Sequence, residues 1–163
     1  MKRIRRDQKG FSLIELLVVV AIILIIAAIA IPNLLQARVA ANEASAVASL
    51  RTINTAQISY LDYYPTVGFA PTLASLGGTS CNPPDQSGAC FIDQLLASGN
   101  KSGYSFSLTA TGAPSSAYVA TGMPNSGNGN RSYCTTEDGV IHYDPSGAAI
   151  SDHDSCLALT PLQ

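Results

Sequence analysis

Gly10 to Pro32 reads GFSLIELLVVVAIILIIAAIAIP, and the rest of the chain is organised around it. From Phe11 to Ile31 there are 21 residues, of which only Ser12 and Glu15 are polar. At 1.5 Å rise per residue such a helix covers roughly 30 Å, about the hydrocarbon thickness of a bilayer. Glu15 is the anomaly. Even on a lenient insertion scale an acidic side chain at mid-membrane costs roughly 2.5–3.5 kcal/mol, less near the interface, so its presence needs a reason.

Charge is distributed as unevenly as hydropathy. Lys2, Arg3, Arg5, Arg6 and Lys9 against Asp7 give the first ten residues a net charge of +4, while the remainder carries four basic and ten acidic side chains, net −6. A basic flank before an apolar span predicts an N-terminus held in the cytoplasm and a single-pass membrane protein whose remaining chain is carried outward. An acidic exported part with no basic stripe predicts no nucleic-acid partner.

Three plain readings compete for this N-terminus. A cleavable secretory signal is suggested by the small-x-small Ala28–Ala30, but the apolar stretch is too long for it and Glu15 interrupts it. A signal anchor explains length and charge and leaves Glu15 without a role. A buried core helix does not explain the basic preamble.

The residues KGFSLIELLVVVAIILIIAAIAIP, Lys9 to Pro32, resemble the N-terminus of the type IV prepilins and the related type II secretion pseudopilins: a short basic leader ending in glycine, a phenylalanine, a glutamate four residues later, an unbroken apolar run and a proline. The resemblance implies cleavage between Gly10 and Phe11 by a membrane-embedded prepilin peptidase, which also N-methylates Phe11. It implies a cleaved leader at 1–10, a transmembrane and filament-core helix at 11–31, an amphipathic head helix at 32–64 and an exported loop and sheet domain at 65–163. Further implied are a non-enzymatic subunit of a helical homo-oligomer, an inner-membrane assembly platform as partner and lipid as the environment before assembly. The filament would stand on the cell surface as a pilus or in the periplasm as a pseudopilus.

Elementary chemistry agrees with those roles. Glycine before a scissile bond adopts backbone conformations closed to other residues and puts no side chain in a protease groove. Once Phe11 carries a free amine, Glu15 lies in the first helical turn, where the helix dipole favours an anion. A carboxylate in an apolar setting is best tolerated when paired, and the Phe11 ammonium of an adjacent subunit is a suitable counter-charge, which makes Glu15 an assembly and register device.

Pro32 is the single breaker before Tyr64, and because helix formers resume at once it predicts a kink, with local unwinding over Ile31–Leu35 as a further option. Seven alanines between Ala37 and Ala56, with Leu35, Val39, Val47, Leu50, Ile53, Leu61 and Tyr64 at spacings of threes and fours, predict an amphipathic helix that needs a partner surface. Beyond it, FIDQLLA (Phe91–Ala97) reads as a short helix. GYSFSLTAT (Gly103–Thr111) alternates as a half-buried strand, with further strands at Ala117–Thr121, Arg131–Thr136 and Val140–Tyr143. Asp138-Gly139 marks the turn of a hairpin, and Gly122–Asn130 reads as an exposed loop. The fold class is α+β, pilin-like: a long kinked helix laid on a three- or four-stranded antiparallel sheet.

Cys81, Cys90, Cys134 and Cys156 all follow the span, in an oxidising compartment, so two disulfides are expected. Three connectivities exist; the local pairs Cys81–Cys90 and Cys134–Cys156 close the shortest loops and are favoured on entropy. No C-x-x-C spacing supports zinc, and neither metal nor cofactor is expected. The resemblance to major pseudopilins implies calcium as the alternative, with Asp144, Asp152 and Asp154 as oxygen donors in a late loop, although their spacing fits no EF-hand. His142, on a strand, and His153, in an exposed turn, have no nucleophile motif beside them. Tyr60, Tyr63 and Tyr64 read as helix–sheet packing rather than an electron path. Tyr63–Gly77, YYPTVGFAPTLASLG, is loosely similar to the segment after the helix in major pseudopilins, so pilus and pseudopilus both stay open, with a monomeric membrane-tethered binding module as the rival class.

Overall fold

A computed structural model describes residues 10–78, 81 and 83–162. The expected leader therefore lies outside the described residues apart from Gly10. The chain divides into two compact units, Met1–Ala37 and Arg38–Gln163, and helix α1 (Leu13–Tyr63) contributes residues to both. The helix runs unbroken past Pro32, and residues 31–35, where the sequence allows unwinding, are helical.

In the first unit nearly all of the described residues of α1 are exposed. Phe11 is 84% exposed, and the large apolar side chains from Leu13 to Leu35 are exposed with it. Apolar and long enough to cross a membrane, this segment is built to be covered by lipid or by other helices rather than by its own chain.

In the second unit the helical period is visible in the burial itself. Ala46, Ser49, Leu50, Ile53, Asn54, Ala56, Gln57 and Tyr60 are buried at spacings of threes and fours, while Ala44, Ala48, Thr52 and Thr55 face solvent. The buried stripe lies on a sheet ordered β1-β2-β3-β4-β5-β6, antiparallel throughout, with every neighbour consecutive in sequence. Its body is β2 (Tyr104–Gly112), β3 (Ser115–Pro124), β4 (Ser132–Thr136) and β5 (Ile141–Asp144). Two-residue strands β1 (Asn100–Lys101) and β6 (Thr160–Pro161) border it.

The alternation read from Gly103–Thr111 holds, with Tyr104, Phe106 and Leu108 buried toward α1. Strand β3 is longer than expected and takes Gly122–Pro124 out of the loop, because Tyr104, Ser105 and Phe106 continue the ladder opposite them. The helix expected over Phe91–Ala97 shortens to α3 (Gln94–Ala97): Asp93 accepts the Leu96 N–H as its N-cap, and the Phe91 and Ile92 N–H groups donate instead to the Leu76 carbonyl at the end of α2 (Leu73–Leu76).

Both faces of the sheet are covered. Tyr118, Ala120 and Tyr133 point into the core under α1, whereas their neighbours Val119 and Cys134 pack with Ile150 and Cys156 on the other face. The segment after β5, carrying α4 (His153–Leu157), makes that second layer. Strand β4 is consequently buried at every position although it reads SYCTT. Its hydroxyls are satisfied within the protein: Ser132 Oγ donates to the Ala148 carbonyl at 2.7 Å and Thr136 Oγ1 to Asp138 Oδ1 at 2.9 Å.

Candidate functional site

The first turn of α1 is held by its own residues. Ser12 precedes the helix and Glu15 is its third residue, and the Ser12 backbone N–H donates to Glu15 Oε2 at 3.0 Å. This is the back-reaching half of a capping box, in which the N3 carboxylate satisfies a donor that the helix leaves unpaired. Hydropathy passes over Ser12 as a tolerated polar residue; the signal that finds it is the S-x-x-E spacing. Gly10 stands just outside, exposed, with nothing within 4 Å of where a side chain would begin. A carboxylate, an exposed phenylalanine and an unobstructed glycine thus occupy one short stretch ahead of an uncovered apolar helix.

Residues 5–31 match the family model described as the prokaryotic N-terminal methylation motif. Over these residues the chain is similar to the type IV prepilins. Among its relatives are the type IV major pilin protein PilA of Myxococcus xanthus, 41% identical over 78 residues covering 44% of this chain, and the type IV wide pilus major component PilA4 of Thermus thermophilus, 60% identical over 45 residues covering 28%. The chain spans about a third of the length of these relatives, 36% and 34%. No solved structure matches it. The family model ends at residue 31, and the head is read from its own geometry.

That head is tied to α1 by buried amides. Asn54 Nδ2 donates to Thr135 Oγ1 at 2.9 Å and to the Gly139 carbonyl at 3.3 Å, while its Oδ1 accepts from Tyr118 Oη at 2.9 Å. One turn on, Gln57 pairs with both backbone groups of Ala70, Nε2 to the carbonyl at 3.1 Å and Oε1 from the N–H at 2.8 Å. Nearer the start of the head, Asn42 Nδ2 donates to the Asn128 carbonyl at 2.9 Å, and Glu43 accepts from the Asn130 N–H at 2.9 Å and from Tyr133 Oη at 3.2 Å. Burial, reinforced by the Glu43 carboxylate, pushes the Tyr133 phenol up to about 12, so it remains a donor.

The cysteines pair as Cys81–Cys90 and Cys134–Cys156. The second bridge is fully buried between the sheet and α4. Asp152, one of the three candidate calcium ligands, accepts from the Ser155 N–H as the N-cap of α4. Asp144 Oδ1 accepts from the Ser146 backbone and hydroxyl at 2.7 and 2.6 Å, and Asp154 lies beside His153 at 3.3 Å. These carboxylates serve separate turns, and among the described residues no group of three or more His, Cys, Asp or Glu is gathered for a metal.

His153 is not the free turn residue expected. It opens α4, placed there by the Asp152–Ser155 capping box, and its Nε2 lies 2.9 Å from Glu137 Oε1. Hydrogen bonding to Glu137, then to Asp154, raises its pKa above 6.5. Burial is the largest effect on Glu137 and pushes its carboxyl up, but its backbone hydrogen bond and His153 together bring it below 4.5. His142 Nδ1 is 2.9 Å from the Leu159 carbonyl and its Nε2 is 3.6 Å from Asp138 Oδ2. Neither histidine has a serine hydroxyl among its hydrogen-bond partners within the described residues. Tyr60 and Tyr64 meet at 4.8 Å with tilted rings and Tyr63 meets Phe91 at 5.6 Å, so these rings pack the end of α1 against the following loop.

Proposed function

We propose that this chain is the structural subunit of a type IV pilus-like filament, made as a membrane-anchored precursor, cut between Gly10 and Phe11, N-methylated on Phe11 and then polymerised. The observation that carries the reading is the uncovered apolar half of α1 beginning at a capped Glu15, joined to a head that has its own complete core. Such a helix is stable only in lipid or in a bundle of its kind, and moving between those environments relies on helix packing rather than transfer from water. In the bundle Glu15 meets the Phe11 ammonium of a neighbouring subunit, and Pro32 kinks the helix. The working partners are the prepilin peptidase and methylase, the inner-membrane assembly platform and other copies of this chain.

The N-terminus faces the cytoplasm and the head the periplasm before assembly, and the two disulfides suit a head exposed beyond the membrane. The test is the intact mass and N-terminal fragment of protein sheared from cells. The expected species begins at Phe11 with one added methyl. Residues 1–10 still attached in sheared filaments overturn the processing step, and protein that stays with the membrane after shearing favours the tethered module. Dependence of protein export on this subunit, without a surface filament, favours the pseudopilus, which the Tyr63–Gly77 segment resembles.

A further inference from the structure

Asn128-Gly129 lies in the loop that holds α1 near the start of the head. Asn128 is outside helix and strand, in the turn that follows Gly127, whose φ of +77° is the left-handed region glycine favours. The Gly129 N–H makes no hydrogen bond among the described residues, and the Asn128 amide, lying over Gly103, makes a single long hydrogen bond, 3.5 Å to the Ser126 carbonyl. A backbone nitrogen free of hydrogen bonds, unshielded by any side chain on its own residue, therefore follows a carboxamide that is weakly held.

We propose that Asn128 is a self-modification site, converting to aspartate and isoaspartate, and that the conversion releases this loop from α1. The Gly129 nitrogen attacks Asn128 Cγ; the N–Cγ bond forms, the Cγ–Nδ2 bond breaks and ammonia leaves with the Gly129 proton, giving a cyclic imide. Water then opens the ring. Cleavage of the new N–Cγ bond leaves an ordinary aspartate at this position, and cleavage at the main-chain carbonyl leaves isoaspartate, in which the backbone runs through Cβ and Cγ.

The surroundings explain why position 129 takes only glycine and why conversion of Asn128 has consequences. A Cβ on Gly129 would fall on the Tyr104 hydroxyl and ring, so a side chain that would shield the nitrogen has no room. The Asn128 carbonyl is the acceptor for Asn42, and two residues on the Asn130 N–H donates to Glu43. Both products place a new carboxylate in the loop that Glu43 already engages, and the isoaspartate also displaces the carbonyl that Asn42 grips.

The experiment holds full-length protein in detergent at mildly alkaline pH, below its unfolding temperature, and follows each asparagine by peptide mapping with fragmentation that separates aspartate from isoaspartate. Asn82 is an internal control, because Pro83 has no N–H to attack. The expected result is conversion at Asn128 several-fold ahead of every other asparagine, with faster amide exchange at Asn130 in the converted fraction. Asn128→Gln, whose ring closes more slowly, should stay unmodified and keep that amide protected. Asn128 intact in folded protein while it converts in denaturant overturns the site. Conversion that leaves Asn130 exchange unchanged overturns the release.

Discussion

Tyr118 Oη donates to Asn54 Oδ1 at 2.9 Å with both residues buried, so a strand in the middle of the sheet is hydrogen-bonded directly to the helix that crosses it. Burial holds the Tyr118 phenol protonated well above its ordinary range. The same asparagine serves β4 and the β4–β5 turn. Asn54→Ala leaves the Tyr118 and Thr135 hydroxyls buried and without that partner, which should cost about 3 kcal/mol. Urea unfolding of the detergent-solubilised protein, followed by tyrosine near-UV circular dichroism, should show the midpoint fall; an unchanged midpoint contradicts the role.

The two disulfides should differ in weight. Cys134–Cys156 closes the longer loop, 22 residues against 9, and is fully buried where it fastens the second layer to the sheet. Replacing both its cysteines by serine should cost about 3 kcal/mol and exceed the cost of the Cys81–Cys90 double variant. Paired denaturation curves of the two double variants test the order.

His153 and Glu137 give the C-terminal layer a pH window. The histidine binds its proton more tightly folded than unfolded, so its contribution is complete below its ordinary value of 6.5 and is lost as pH rises through the higher folded value. Glu137, lowered, contributes above 4.5 and loses that contribution as pH falls through its folded value. The pair is partly exposed and should be worth under about 1 kcal/mol. Melting temperature should therefore decline on passing from mildly acidic to mildly alkaline pH, and His153→Gln should flatten that decline. An equal decline in the variant assigns it elsewhere.

Glu15→Ala removes the carboxylate that accepts the Ser12 N–H. Membrane insertion should persist, because the apolar run is untouched, while filament yield falls. Membrane fractionation and shearing measure the two separately. Normal yield removes the pairing with a neighbouring Phe11. Glu15→Gln, which keeps an acceptor for Ser12 but no charge, separates capping from ion pairing: recovery of yield assigns the effect to capping alone.

Much of this architecture is written in local pattern. The apolar run, the glycine–phenylalanine junction and the alternation of Tyr104, Phe106 and Leu108 are each decided by neighbours in sequence. The second layer is not. Ser132, Thr135 and Thr136 are polar residues of a strand, and nothing nearby in sequence reveals that Ala148, Asn54 and Asp138 will receive or supply their hydrogen bonds. The same holds for Asn54 and Gln57 on the alanine-rich helix: a buried amide is identified by partners 13 to 85 residues away. The boxes Ser12-x-x-Glu15 and Asp152-x-x-Ser155 are local and legible in spacing; charge draws the first toward its membrane cost, and the carboxylate of the second toward calcium, when both cap helices.

The Gln57 contact with Ala70 has a consequence of its own. One side-chain amide here imitates the rung of a ladder, offering a donor and an acceptor to a main chain that belongs to no strand. What it recognises is peptide geometry, so the loop's other side chains are free to diverge while its path stays anchored to the helix. A surface built on such a loop can change its chemical face without moving its foundation.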